Sequence, residues 1–348
     1  MAKPKVLMIN GFETTSVPQD VQDKLNGLVD FTVIEQAPHD TFAPIIAETV
    51  ASQGPFVACI IFLKWFEPKT WPWPLDEALI GPLVRSGCRF FSSGGAGFDF
   101  ADISYLTKNG AYYANTAYSA SIRTSDSACM MILQVLRNTT RREDDVRNGR
   151  WQDKTFMAKD GRKSTLGLIG MGTIGRLVAQ TMSTAFGMKI IYHNRSRLTP
   201  EQEKECGGLK GPAEYVSFDE ILQRSDVLSL HCPLTEETRH LINRESIAKM
   251  RDGIILVNTS RGPVVHEEAL VEGLESGKIL RAALDVFEFE PEVHPKLIEM
   301  RHQTILQPHC AVANETILED QQCEILSNLE AFIKTGKPNT PVNTPALN

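Results

Sequence analysis

The stretch "GLIGMGTIGR", Gly167 to Arg176, decides the fold. It carries the pattern G-x-G-x-x-G at Gly170, Gly172 and Gly175, after the apolar run "STLGLIG" and at the head of "GTIGRLVAQTMSTAFG", a segment with helical periodicity. Each glycine answers a steric need: a tight turn, close approach of a pyrophosphate to the backbone, and close packing of helix on strand. The first amides of that helix, at Thr173 and Ile174, would face the phosphates. With a strand before it and a helix after it, the triplet reads as a dinucleotide-binding turn.

The next strand, "MKIIYHN", should end about 20 residues on with an acid for the ribose 2′-hydroxyl. The sequence there is Asn194, Arg195, Ser196 and Arg197, with no acid. An aspartate would repel a 2′-phosphate, whereas two arginines beside neutral hydrogen-bonding neighbours would pair with it. A charge-assisted hydrogen bond contributes about 1.5 to 3 kcal/mol, so one good arginine contact sets a strong preference. The expected cofactor is NADP(H), with NAD(H) also possible. The alternative is a solvated basic loop indifferent between the two.

Further along come "DVLSLHCP", "GIILVNTS", "ILRAALDVF" and "TILQPH", separated by the helical "SFDEILQRS" and "HEEALVEGLESGK". Gly187 and Gly277 stand where helices commonly stop. Before Ser119 a first series runs "KVLMIN", "DFTVIEQ", "FVACIIF", "CRFFSS" and "AYYANT". Strands alternating with helical segments imply parallel sheets covered on both faces, so the class is α/β with two doubly wound domains. From Ser119 to Arg137 a long helix is expected, followed by a solvated arm, "RREDDVRNGRW". Because the middle unit is self-contained, the last helix, "ETILEDQQCEILSNLEAFIKTG", is expected to return to the first domain. The expected boundaries are 1–117 with 313–348 for a substrate domain and 118–312 for a dinucleotide domain.

A chain of 348 residues favours two cores over one. Its net charge of -7 argues against a nucleic-acid partner. Seven scattered cysteines without a C-x-x-C pair suggest neither a zinc site nor a disulfide framework, and read as reduced thiols in the cytoplasm. "MAKPKVLMING" has too short an apolar run for a signal peptide and reads as a first strand, and "TPALN" carries no targeting signal. No apolar stretch approaches the ~18 residues of a membrane span.

Arg261 in "VNTSRGP", Glu290 in "LDVFEFEP" and His309 in "LQPHCA" each follow an apolar strand. Open α/β sheets bind ligands at that carboxyl edge, so the three converge on a site. Singly, each has a bland alternative: a turn cap, the start of a polar loop, a packed histidine.

Together with the glycine loop these residues resemble the D-2-hydroxyacid dehydrogenase family. "SSGGAGFDFADI", "TSDSACMMILQVLR", "RREDDVRNGRW", "GLIGMGTIGR", "HCPLTEETRHLIN", "VNTSRGPVV", "AALDVFEFEP" and "QPHCA" stand in that family's order across almost the whole chain. The spread of "DVFEFEPEVHPKLIEM" is similar to the fungal D-mandelate dehydrogenase branch. The resemblance implies a Rossmann domain inserted into a flavodoxin-like one, a homodimer, and hydride transfer between a nicotinamide and C2 of a 2-oxo acid.

In such a reaction a histidine suits the proton donor, because a general acid works best with a pKa near the operating pH. His309 would take that role, Glu290 would orient its ring, and Arg261 would hold the carboxylate and keto oxygen. The resemblance adds amides around Gly95, Ala96 and Gly97 for the carboxylate, with the substrate between the domains. For the cofactor it adds Thr124, Cys232, Pro233, Thr259, Ser260, Asp285 and Ala311. The family usually follows the catalytic histidine with a glycine pair, whereas Ala311 and Val312 stand here; Asp126 replaces its usual glutamate.

"FLKWFEPKTWPWPLDEALI" holds Trp65, Trp71 and Trp73. These would either wall a pocket for a bulky or aromatic substrate or serve interdomain or subunit packing, and Lys64 beside them reads as solvated. The expected reaction is reduction of 2-oxo acids, bulky or aromatic ones favoured. Glyoxylate and hydroxypyruvate reduction is the alternative, and a dinucleotide-sensing corepressor-like module is the alternative of another class.

Overall fold

The computed structural model describes residues 2–11, 17–62, 74–151 and 157–345. The chain divides into two compact units, Met1–Ala120 with Asn314–Asn348, and Ser121–Ala313. The Trp-rich residues Lys64, Trp65, Trp71 and Trp73 lie outside the described residues.

The first unit runs β1 (Lys5–Ile9), α1 (Gln19–Leu28), β2 (Asp30–Ile34), α2 (His39–Gln53), β3 (Ala58–Ile61), α3 (Glu77–Arg85), β4 (Phe90–Ser93), α4 (Ile103–Lys108) and β5 (Tyr112–Ala114). All its strand pairs are parallel, in the order β2-β1-β3-β4-β5, which is the flavodoxin-like arrangement. Side chains alternate across a strand, and β1 divides accordingly: Leu7 and Ile9 enter one core, Val6 and Met8 the other. Ile325, Leu326 and Leu329 join the second of these cores, so the last helix does return to the first unit.

The division between the units falls within α5 (Ala117–Arg137). After it come α6 (Thr139–Arg147), β6 (Thr165–Ile169), α7 (Thr173–Thr184), β7 (Lys189–His193), α8 (Pro200–Cys206), β8 (Glu214–Tyr215), α9 (Phe218–Arg224) and β9 (Val227–Leu230). The remainder is α10 (Arg244–Lys249), β10 (Ile254–Asn258), α11 (Glu267–Glu275), β11 (Ile279–Leu284), α12 (Pro295–Glu299), β12 (Thr304–Leu306) and α13 (Ile317–Thr335). The seven-stranded sheet is parallel throughout, ordered β12-β11-β10-β9-β6-β7-β8. Its strand order reverses between β9 and β6, which is the switch point where a doubly wound sheet opens a crevice.

One expectation is refined. The segment after the long helix is exposed at most positions, as expected of a solvated arm, but it is helical: it forms α6, where Asp144 is buried and takes both Nε and Nη2 of Arg301, at 2.6 and 2.8 Å. The two-residue strand β8 was also unforeseen, being too short to show a period.

Candidate active site

Whereas Thr124 lies within α5, most site candidates in the second unit sit just past a strand, on one edge of the sheet. Across the sheet in spatial order these are His309 after β12, Asp285 and Glu290 after β11, Arg261 after β10, Cys232 after β9, Gly170 after β6 and Asn194 after β7. The catalytic candidates therefore flank one side of the switch point, and the cofactor candidates span it.

At the glycine loop the three positions have different constraints. Gly170 has φ +95, and a Cβ there would stand 2.6 Å from the backbone carbon of His231. A Cβ on Gly175 would stand 2.1 Å from the carbonyl oxygen of Gly170, which is the close helix-strand contact. Gly172 has nothing within 4 Å, leaving open space over the loop. Side chains cap the N-termini of α6 and α8 to α12, but the N-cap of α7 is Gly172 itself, without a side-chain acceptor. The amides at Thr173 and Ile174 have no acceptor among the described residues, a setting that fits the phosphates of a dinucleotide.

His231 supports this loop from the neighbouring strand end, and sequence reasoning passed it over. Its Nε2 bonds Ser229 Oγ at 2.9 Å, while Nδ1 is buried without a hydrogen-bond partner among the described residues. Burial pushes the imidazole down to about 4.

The two arginines of the ribose loop behave differently. Arg197 pairs with Glu203, a buried residue whose Oε1 also accepts from Tyr192 Oη at 2.7 Å. That pairing holds the Glu203 carboxyl below the usual range, the hydrogen bond from Arg197 acting most strongly. Arg195 is exposed and makes no hydrogen bond or ion pair with the described residues, though its charge helps lower the Glu237 carboxyl, which is held chiefly by Thr235. Asn194 folds back, its Nδ2 donating to the Ser196 carbonyl at 3.0 Å.

On the other side of the switch point, His309 Nδ1 lies 2.7 Å from Glu290 Oε2. The second carboxylate oxygen, Oε1, accepts from the Phe287 amide at 2.9 Å. Burial alone would raise the Glu290 carboxyl, but the hydrogen bond and charge of His309, the Phe287 amide and the charge of Arg261 prevail, and it is lowered. An ionised Glu290 fixes the proton on Nδ1 and turns Nε2 outward. Nε2 has no partner among the described residues, and each side chain is about one-third exposed, at 33% and 32%.

His309 adopts φ +51, a conformation that side chains with a Cβ rarely take. Asp285 holds it there. The Asp285 carbonyl accepts from the His309 amide at 2.7 Å, and its carboxylate accepts from Cys310 and Ala311 at 2.8 and 3.0 Å. Burial raises that carboxyl to about 6, against those amides and the charge of His309. The Ala311 carbonyl accepts from Ser127 of α5, so both its backbone groups are engaged within the unit.

Asn258, buried at the end of β10, organises the Arg261 turn. Its Oδ1 accepts from the amide and hydroxyl of Ser260, and its Nδ2 donates to the Arg261 carbonyl. Thr259 Oγ1 is buried without a hydrogen-bond partner among the described residues, which suits a donor or acceptor meant for a ligand. Thr124 and Cys232 are buried and Pro233 exposed. These surroundings fit a dinucleotide.

In the first unit, Gly95 has φ +93 and its amide donates to Thr116 Oγ1 at 2.7 Å. The Gly95 amide is therefore committed internally, whereas those of Ala96 and Gly97 have no acceptor among the described residues. Among the described residues no helix is long and apolar enough to cross a membrane.

Residues 129–311 match the family model described as "D-isomer specific 2-hydroxyacid dehydrogenase, NAD binding domain". The chain is 40% identical to 4-methyl-2-oxopentanoate reductase A of Aspergillus oryzae over 77% of this chain and 79% of that protein. Its fold follows a glyoxylate reductase from Paecilomyes thermophila with TM-score 0.86 and 34% identity, covering 98% and 99% of the two chains. It also follows the D-mandelate dehydrogenase of Rhodotorula graminis with TM-score 0.84 and 32% identity, covering 99% and 98%. The chain belongs to the D-isomer-specific 2-hydroxyacid dehydrogenases. It is an NAD(P)-dependent oxidoreductase that interconverts 2-hydroxy and 2-oxo acids.

Proposed function

We propose that this enzyme is an NADP(H)-preferring reductase of bulky or aromatic 2-oxo acids. The observation that carries the catalytic assignment is the His309 to Glu290 contact of 2.7 Å, lying within the electrostatic reach of Arg261. The nicotinamide supplies the hydride when bound. His309 Nε2 gives the proton to the carbonyl oxygen, Glu290 holds the ring by Nδ1, and Arg261 binds the carboxylate. The amides of Ala96 and Gly97 are also assigned to the substrate, with Gly95 as the turn residue that presents them.

For the cofactor we assign Gly170, Gly172, Thr173, Ile174 and Gly175 to the pyrophosphate. Asn194, Arg195 and Ser196 take the ribose and its 2′-phosphate, with Arg195 the principal cation because Arg197 is engaged elsewhere. Thr124, Cys232, Pro233, Thr259, Ser260, Asp285 and Ala311 complete the list. Segments 1–117 with 313–348 serve the substrate and 118–312 the dinucleotide. An odd number of scattered cysteines supports a cytoplasmic setting, and the family likeness supports a homodimer.

The names of two relatives, a 4-methyl-2-oxopentanoate reductase and a D-mandelate dehydrogenase, support a large substrate side chain. Glyoxylate or hydroxypyruvate is the second reading, favoured by the likeness to a glyoxylate reductase. A kinetic matrix of NADH and NADPH against glyoxylate, hydroxypyruvate, phenylglyoxylate and 4-methyl-2-oxopentanoate tests both halves. Highest kcat/KM with NADPH and a bulky acid is the expected result; NADH preference, or preference for glyoxylate, overturns the corresponding half.

A further inference from the structure

Two residues before Glu290 stands a second carboxylate with a histidine partner. Glu288 has a buried side chain, 7% exposed, and its Oε1 lies 2.6 Å from Nε2 of His240. Its other oxygen accepts from the Glu267 amide at 2.9 Å, and the Glu288 amide donates back to Glu267 Oε1 at 2.7 Å. The loop 287–290 thus carries two His–Glu pairs, one toward the assigned proton donor and one away from it.

The partner of Glu288 is tied to the other catalytic loop. His240 donates its backbone N–H to the carbonyl of Pro263, two residues past Arg261, at 2.8 Å. It has φ +52, and its ring lies edge-on to His266 with centroids 4.8 Å apart. Gly262 packs directly on the 287–288 backbone, since a Cβ there would stand 1.7 Å from the Phe287 carbonyl oxygen and 2.6 Å from the Glu288 nitrogen. Three segments therefore meet: 240–242, the Arg261 turn, and the loop that delivers Glu290.

We propose that His240 and Glu288 are positioning residues, clasping the Arg261 turn to the Glu290 loop so that carboxylate binder and proton-donor pair stay in register. The inference rests on the oxidoreductase reading above. Neither residue touches the reacting atoms. Without the His240 side chain the buried Glu288 carboxylate keeps only an amide partner, and loop 287–290 loses its side-chain tie to the turn while the Gly262 packing remains. Displacements of about 1 Å in a catalytic group cost on the order of a hundredfold in rate.

The test uses H240N and H240Q in the full-length protein. Asparagine tolerates positive φ, so H240N keeps the backbone while its side chain falls short of Glu288. Glutamine still reaches, and donates from Nε2. We expect H240N to lower kcat about tenfold or more, counted per NADPH-binding site, with the NADPH Kd unchanged and H240Q recovering most of the rate. Wild-type kcat in H240N, equal impairment of both variants, or a loss confined to the number of folded sites overturns the inference. Absence of turnover in the wild type on every 2-oxo acid would instead sink the oxidoreductase reading. In that event the NMR signal of the His309 ring still decides: the clasp requires it to move in H240N and return in H240Q, and an unmoved signal refutes it.

Discussion

Arg197 closes on the buried carboxylate of Glu203 with two nitrogens, Nε to Oε1 at 2.8 Å and Nη2 to Oε2 at 3.0 Å. A planar guanidinium matched to a carboxylate in this way is a strong arrangement, and dislodging it would leave Glu203 buried without its cation. The loop after β7 thus contains one structural arginine and one available arginine.

Substitution of Arg195 and of Arg197 should separate these roles. R195A is expected to raise KM for NADPH about tenfold or more while leaving KM for NADH near its original value, since one charge-assisted contact to the 2′-phosphate is lost. R197A should lower thermal stability and weaken both cofactors alike. Steady-state kinetics with each cofactor, beside thermal melts, read the difference; equal effects of R195A on NADPH and NADH would defeat the assignment.

The glycine loop makes a second contrast. In the protein alone, Ala at position 172 meets open space, whereas Ala at 175 runs into the Gly170 carbonyl at 2.1 Å. G172A should keep the melting temperature of the cofactor-free protein and raise its Kd for NADPH. G175A should cost about 1–3 kcal/mol, a loss of several degrees, before any cofactor is added. A G175A protein as stable as wild type would argue against the close helix-strand contact.

Replacing His309 by Gln should reduce kcat by about a hundred- to ten-thousand-fold, the usual contribution of a general acid. NADPH affinity should be retained, as measured by quenching of protein fluorescence. E290Q keeps a hydrogen-bond acceptor for Nδ1 but loses the carboxylate charge beside the ring, so a smaller drop in kcat is expected. Full activity in H309Q would remove His309 from its role.

Acid stability should report on His231. Its folded-state value of about 4 lies below the ordinary 6.5, so between these values the unfolded chain binds the extra proton. The stabilisation is therefore fully present above pH 6.5 and is lost as the pH falls through about 4, a change on the order of 3 kcal/mol. H231Q, which does not titrate, should lose less stability than wild type between pH 7 and 4 in urea unfolding. Parallel curves for the two proteins would contradict this account.

How legible the molecule is in its sequence depends on the range of the interactions. Apart from β8, the strands of both sheets follow apolar runs, and the glycine triplet with its flanking strand and helix points to the switch point. Arg261, Glu290 and His309 are readable because each follows such a run. The Arg197 to Glu203 pair is not, since a spacing of six residues across a turn matches no helical or strand period. Nor is His240 with Glu288, 48 residues apart and joined only by the folding of two loops. Asn258 left a faint signal, a polar residue closing an otherwise apolar strand, whose function emerges only from the turn it bonds.

The division of the first unit between two flanking segments carries a consequence for biosynthesis. Its strands β1 to β5 leave the ribosome early, but one of its two cores lacks Ile325, Leu326 and Leu329 until α13 emerges. Residues Ser121–Ala313 must be made in between, roughly ten to forty seconds at about 5–20 residues per second. The later-synthesised unit can therefore complete its core first, while the nascent amino-terminal sheet waits with an apolar face uncovered, open during that interval to chaperones or to aggregation.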